Sequence, residues 1–392
     1  MADTMFDMSN AVSTEDLRKL LMLQVRKLMD HPELARKLPP LMVWGAPGIG
    51  KSSIMRSVAE ELGIGFIDVR LAQREPVDIR GLPVPDKESK RVAWYVSDEW
   101  PRDPDSKGII MFDEITAADR SLQVAAYELI LDRRLGDLYK MPDGWYVCAA
   151  GNRVEDAAVA MTMSSALTNR FLHVELHEDP ELWTKWALCN DIDPSVIGFI
   201  RYRPGLLFRH DGENLERGWP SPRSWDRVSS MLDVVGDDEG LLARVVNGLV
   251  GNAAGTEFLA FRKVMQEMDD VRELMLNPDM KLEIPTKADR KYALCSAAAF
   301  YVWRGKNADE QKRLLDGFFR IAIALPGDFS AMLMTDALQA DDANGMDKQR
   351  QKTLFEHPAF KEWTAKHGLA MRKRMKWREA ASNPGDKSRG KK

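Results

Sequence analysis

An apolar run, Leu41-Met42-Val43-Trp44, leads into Gly45-Ala46-Pro47-Gly48-Ile49-Gly50-Lys51-Ser52-Ser53, and Ile54, Val58 and Leu62 follow at helical spacing. No other feature of the chain restricts its fold so much. Strand, G-x-x-x-x-G-K-S turn and helix, in that order, form a phosphate-binding loop at the edge of a parallel sheet. Glycines let backbone N–H groups curl around a phosphate, and the helix N-terminus adds unpaired donors and positive potential. Residues 45–53 are therefore the expected nucleotide contacts. Lys51 can reach the β- and γ-phosphate oxygens, and the Ser52 hydroxyl can ligate magnesium. A nucleoside triphosphate is the implied ligand, with ATP and Mg2+ as the expected cofactors.

The surrounding pattern extends this motif into a domain. Residues 66–71 read as a second strand. Residues 108–112 form an apolar run that ends in Asp113-Glu114, followed by helical spacing from Leu122 to Ile130. A hairpin turn is expected at Met141-Pro142-Asp143-Gly144, then a strand over 145–150 running into Gly151-Asn152-Arg153, and a last strand over 171–176. Alternating strands and helices predict a parallel sheet with ligands at the carboxyl ends of its strands. The expected fold class is α/β, a P-loop NTPase αβα sandwich followed by an α-helical lid and an α-helical C-terminal extension.

The boundaries follow from composition. Residues 1–38 read as an N-terminal helical segment, capped at Ser13 and carrying Leu17, Leu20, Leu21, Val25 and Leu28 at helical spacing. The nucleotide-binding core spans 39–178. Within it, residues 72–107 are too long for an ordinary connection and read as an insertion with one strand over 91–96. A helical lid occupies 179–265, where Ser221-Pro222-Arg223 opens the clearest helix with a serine cap and proline in the first turn. Further helices are expected near 240–250, 253–268, 288–303 and 309–324. Residues 266–370 form the helical extension, and 371–392 a basic tail expected to be disordered. That tail reads either as a solvated end or as a contact for nucleic acid or an acidic partner.

Composition narrows the remaining classes. Fifty-six basic residues against sixty acidic ones give a net charge of −4, which leaves no global field to attract nucleic acid. Three scattered cysteines (Cys148, Cys189, Cys295) suggest no disulfide framework and point to a reducing cytoplasm. The six histidines show no zinc-ligand spacing. No apolar run is long enough to span a membrane, and the N-terminus lacks the pattern of a signal peptide, so no membrane insertion is expected.

The chemistry is carried by five more residues. Asp113 can hold magnesium through water, and Glu114 can polarise the attacking water. Asn152 can align that water or touch the γ-phosphate; its alternative is a turn-forming role after Gly151. Arg170 follows a short helical segment over 164–169 at an edge of the domain. There a guanidinium can enter a neighbour's site in trans, or pair with Glu175 or Glu178; Arg133 and Arg134 are rival trans residues. Arg223 sits in a helical first turn, where a cation opposes the dipole unless an anion such as the γ-phosphate is nearby. Trp94 and Tyr95 alternate on the inserted strand and either face a central pore or pack against the sheet.

The order of phosphate loop, Asp113-Glu114, Gly151-Asn152-Arg153, Leu167-Thr168-Asn169-Arg170-Phe171 and Ser221-Pro222-Arg223 resembles the MoxR family of AAA+ ATPases over roughly residues 39–265. Asp113-Glu114-Ile115-Thr116-Ala117-Ala118 is similar to the family's Asp-Glu-Ile-Asn-Arg-Ala, with Thr116 and Ala117 replacing Asn and Arg. The resemblance implies an AAA+ core with a long insertion around its second helix. It implies sensor 1 at Asn152, an arginine finger at Arg170 and sensor 2 at Arg223. It further implies a homo-oligomeric ring, usually of six subunits, that hydrolyses ATP to remodel protein clients in chaperone-like fashion, often with a von Willebrand factor A-domain partner. Two other readings stand beside it: a DNA-associated P-loop NTPase or motor using the basic tail, and a nucleotide-gated scaffold with slow hydrolysis.

Overall fold

The computed structural model describes residues 10–88, 90–153, 163, 168–210, 218–338 and 346–382. The chain divides at Asp179-Pro180 into two units, Met1–Asp179 and Pro180–Lys392. This is where the strand signal fades in the sequence. No helix of the described residues is long and apolar enough to cross a membrane.

In chain order the first unit carries β1 (Ala11–Val12), α1 (Thr14–Asp30), β2 (Leu41–Trp44), α2 (Lys51–Leu62), β3 (Gly65–Arg70), α3 (Pro76–Arg80) and β4 (Leu82–Asp86). There follow β5 (Arg91–Tyr95), β6 (Gly108–Asp113), α4 (Arg120–Tyr127), β7 (Arg134–Leu135), β8 (Tyr139–Lys140), β9 (Trp145–Gly151) and β10 (Leu172–Leu176). Six strands form one parallel sheet in the order β1-β10-β2-β9-β6-β3. The central strands β2 and β9 are apolar along their whole length, and β6 up to Asp113, because helices cover both faces. Met42, Ile110, Phe112, Val147 and Ala149 share a core with Leu122, Ala125, Ala126 and Leu129 on the α4 side. Alternation turns Leu41, Val43, Ile109 and Met111 to the other face, where α1 and α2 pack. This is the expected P-loop NTPase-like sandwich.

Three local features differ from the sequence expectation. The N-terminal segment is part of the sheet unit: β1 adds an edge strand beside β10, and Leu17, Leu21, Val25 and Leu28 of α1 are buried in it. The hairpin turn lies at Gly136, between β7 and β8, where φ is +52°, whereas Met141–Gly144 only turns the chain into β9. Glycine tolerates that left-handed backbone, and the Pro142-Asp143-Gly144 signal outweighed it in the sequence. The insertion forms an antiparallel hairpin, β4–β5, in which Trp94 and Tyr95 are 45% and 63% exposed. Burial of these rings against the sheet is thereby excluded.

The second unit is helical among its described residues. Phe199, Trp225, Phe258 and Phe261 form an aromatic cluster, with ring centroids 5.3 Å apart for Phe199–Trp225 and 5.5 Å for Phe199–Phe258. The same core takes in Leu294, Ala298, Phe318 and Leu333. Residues 179–265 and 266–370, separated in the sequence reading, therefore share one interior. The helix Ala288–Tyr301 explains this, for it packs along Pro194–Tyr202 with seven consecutive buried residues, Ala293 to Ala299. A buried ion pair, Arg201–Asp336 at 2.6 Å, ties the two segments together. The basic tail does not leave the fold at Met371, since the helix Pro358–Ser382 runs on through it. No glycine or proline interrupts 369–382, and alanine, methionine, lysine and arginine favour helix there. Arg374 pairs with Glu181 at 3.0 Å.

Candidate functional site

The phosphate loop joins β2 to α2, and its backbone is set by glycine. Gly48 and Gly50 have φ of +86° and +101°, and Gly50 is the N-cap of α2. A side chain would strain both positions. Lys51, the first helical residue, is 8% exposed and folds back over the loop. Its ammonium donates to Gly45 O, to Ala46 O at 3.1 Å and to Asn152 Oδ1 at 3.0 Å. The register of β2 on β9 sets Trp44 beside Gly151, which brings Asn152 to the loop. Lysine and the expected sensor asparagine are thus in direct contact.

The next residue reaches the other expected partner. Ser52 Oγ donates to Asp113 Oδ2 at 2.7 Å, and Asp113 Oδ1 accepts the Glu114 N–H at 2.9 Å. Glu114 has φ of +56°, a left-handed backbone that costs about 1–3 kcal/mol for a non-glycine residue. Surrounding bonds hold it there. The Ile115 N–H donates to Ala150 O, and Glu114 O accepts from the N–H groups of Ala117 and Ala118. The conformation breaks strand alternation between two successive carboxylates, both half-buried at the sheet edge. Such strain concentrates at functional sites.

Two hard oxygens, Ser52 Oγ and Asp113 Oδ2, converge within hydrogen-bond distance. Among the described residues no cluster of three or more His, Cys, Asp or Glu could hold a metal by itself. That donor set fits magnesium, which takes one or two protein oxygens and completes its octahedron with phosphates and water. Asp68 on β3 adds negative character nearby. Burial pushes its carboxyl above the ordinary value, the Asp113 charge adds to the rise, and Arg70 and Arg56 oppose it. Its Oδ1 has no hydrogen-bond partner among the described residues.

Thr116 is the residue that sequence reasoning undervalued. It is buried, its Oγ1 accepts the Asn152 N–H at 3.2 Å, and the same hydroxyl lies 3.4 Å from Asn152 O. A Cβ at Gly151 would come within 2.8 Å of Thr116 Cγ2, so glycine at 151 lets this threonine seat Asn152. In the sequence it appeared only as a departure from Asn-Arg after Asp113-Glu114-Ile115.

The arginines fall into different settings. Arg133 is 6% exposed and donates to Pro142 O at 2.8 Å, so its guanidinium is turned into its own chain. Arg134 is exposed and lies 3.6 Å from Glu128. Arg170 is exposed in the turn before β10 and has no ion-pair partner among the described residues. Glu175, one expected partner, faces Arg153 at 3.4 Å instead. The segment 164–167 ahead of it lies outside the described residues. Arg170 is also at the far end of the sheet from its own phosphate loop. Leu172 pairs with Leu41, whereas the loop leaves β2 after Trp44, about 10 Å further along the strand. Arg223 is exposed in the first turn of the helix Pro222–Val235 in the second unit, behind Ser221 and Ser224, which cap each other's backbone N–H groups.

Residues 41–174 match the family model "ATPase family associated with various cellular activities (AAA)". The sheet unit has the P-loop NTPase-like fold of an AAA domain. No curated protein matches the chain. Among solved structures it is similar to the RuvB Holliday junction branch migration motor of Thermotoga maritima, at 16% identity and a TM-score of 0.36, over 67% of this chain and 74% of that one. It is also similar to NtrX from Brucella abortus in complex with ADP, at 13% identity and a TM-score of 0.34, over 85% of this chain and 68% of that one.

Proposed function

We propose that the chain is an ATP hydrolase of the AAA+ class, resembling the MoxR family, which assembles into a six-membered cytoplasmic ring and remodels a protein client. The observation that carries the reading is the convergence of Lys51, Ser52, Asp113 and Asn152 through direct hydrogen bonds, with Glu114 adjoining in a strained backbone. In this reading the loop N–H groups and Lys51 bind the phosphates, and Ser52 and Asp113 would hold a magnesium ion, which would supply positive charge against the phosphates. Glu114 takes the proton of the attacking water, and Asn152 fixes that water's position. Arg170 reaches a neighbour's γ-phosphate, for which its exposed setting at the far end of the sheet, with no ion-pair partner among the described residues, is the support. Arg223 takes the sensor 2 role that the family resemblance implies. Trp94 and Tyr95, exposed on β5, are the side chains offered to an extended client. A protein with a von Willebrand factor A domain is the partner that the family resemblance suggests.

The test separates trans from cis action. Arg170→Ala should leave ATP affinity within a few-fold of the parent and cut turnover by about 10³-fold or more. Lys51→Ala should not bind ATP but still offers an intact Arg170. Mixing the two should return part of the activity, because some sites then combine a working loop with a neighbour's arginine. If mixed assemblies form and nothing returns, Arg170 does not act in trans and the ring mechanism fails.

A further inference from the structure

Arg170 and the phosphate loop stand at opposite ends of neighbouring strands, yet a line of polar contacts joins them. Trp44, the residue before Gly45, donates its Nε1–H to His173 Nδ1 at 2.9 Å. His173 Nε2 lies 2.7 Å from Thr168 O. Indole nitrogen only donates, so Nδ1 must be the acceptor and carries no hydrogen. The hydrogen of the neutral ring then sits on Nε2 and is donated to the Thr168 carbonyl. The two rings lie side by side along this bond, with centroids 6.0 Å apart and planes 18° from parallel. Thr168 O is in turn the acceptor for Phe171 N–H at 3.4 Å, which closes the turn that carries Arg170. One carbonyl thus receives both the bond that shapes the arginine turn and the bond that ties it to the loop strand.

We propose that His173 is a positioning residue which couples the two. It holds the Arg170 turn at a setting fixed by Trp44, so the arginine offered to a neighbour depends on the strand that leads into the subunit's own phosphate loop. The coupling rests on the trans reading of Arg170 given above. Its physical basis is rigidity: the imidazole has one hydrogen bond at each end, and the Phe171 ring packs edge-on beside it, with centroids 6.1 Å apart. A shift of Trp44, one residue from the loop, is passed to Thr168 O rather than absorbed by a flexible side chain.

Full-length variants test this by steady-state hydrolysis, fluorescent-nucleotide binding and the same mixing with Lys51→Ala. His173→Phe keeps a ring but loses both bonds. It should lower kcat about tenfold to a hundredfold, the scale of a mispositioned group, while ATP affinity stays within about threefold. Mixing with Lys51→Ala should then restore activity, because the defect lies in the arginine offered and not in the loop. His173→Gln, which retains one acceptor and one donor, should recover most of the loss. A parental rate for His173→Phe, or a loss that mixing does not restore where it restores Arg170→Ala, overturns the coupling. If His173→Phe binds no nucleotide, Trp44→Phe removes only the donor to Nδ1 and meets the same two outcomes. A parental rate for Arg170→Ala itself would instead remove the trans reading, and it would show before any His173 variant is made.

Discussion

The two units both bury an apolar core, but they differ in what their most constrained residues do. In the sheet unit the functional residues sit where the backbone is most constrained: glycines at positive φ, a left-handed Glu114, and polar side chains bonded across strand ends. In the helical unit the largest buried groups are aromatic, and the cluster of Phe199, Trp225, Phe258 and Phe261 does the work of cohesion. The difference teaches where residue identity is replaceable. A core position asks for volume and apolarity, which several side chains supply. A strand-end position asks for one atom at one place, which a single residue type supplies.

The largest effect expected from this contrast is at Glu114. Glu114→Gln keeps the size and the backbone demand and removes the base. Turnover should fall about 10²–10⁴-fold, with ATP still bound at parental affinity. Phosphate release and nucleotide binding measured on the same preparation decide it. Hydrolysis at the parental rate would mean that Glu114 is not the water-activating group and that its strained backbone serves something else.

The helical unit should respond in stability and not in chemistry. Phe199 is buried among the other three rings, so Phe199→Ala should cost about 3–5 kcal/mol of that unit's stability. Denaturant unfolding followed by tryptophan fluorescence reads the shift in midpoint. Fluorescent-nucleotide binding by the sheet unit should persist past that midpoint. Loss of both at one denaturant concentration would break the comparison, because the units would then unfold as one.

What the sequence disclosed follows the same divide. The strands around Val43, Met111 and Cys148 were legible because buried parallel strands are continuous apolar runs, and the loop because its glycines and Lys51 have few other uses. Asp113 and Asn152 were placed by their position after such runs. The edge strand Ala11–Val12 was not legible, since two residues carry no period. The helix Gly327–Leu338 was missed because it is buried on nearly every side and lacks an amphipathic pattern. The shared interior of 179–265 and 266–370 escaped because packing partners far apart in sequence leave no spacing to read. Within the site, Thr116 and His173 were invisible for another reason. Each matters through a hydrogen bond to a distant backbone or ring atom, Asn152 for one and Trp44 for the other.

The smallest expected effect tests that last point at Thr116. Thr116→Val is nearly isosteric, keeps the methyl group that fits against Gly151, and removes only the hydroxyl. The Asn152 N–H then loses its acceptor, a cost of about 1–3 kcal/mol when no water replaces it. Part of that cost should fall on the placement of Asn152 in the transition state. A drop of about tenfold in turnover is then expected, equivalent to about 1.4 kcal/mol, with ATP affinity little changed. Thr116→Ser gives the converse, keeping Oγ1 and deleting the methyl. If the serine variant is the slower of the two, packing against Gly151 and Met42 seats Asn152, and the site would be held by shape, as the aromatic unit is, rather than by single atoms.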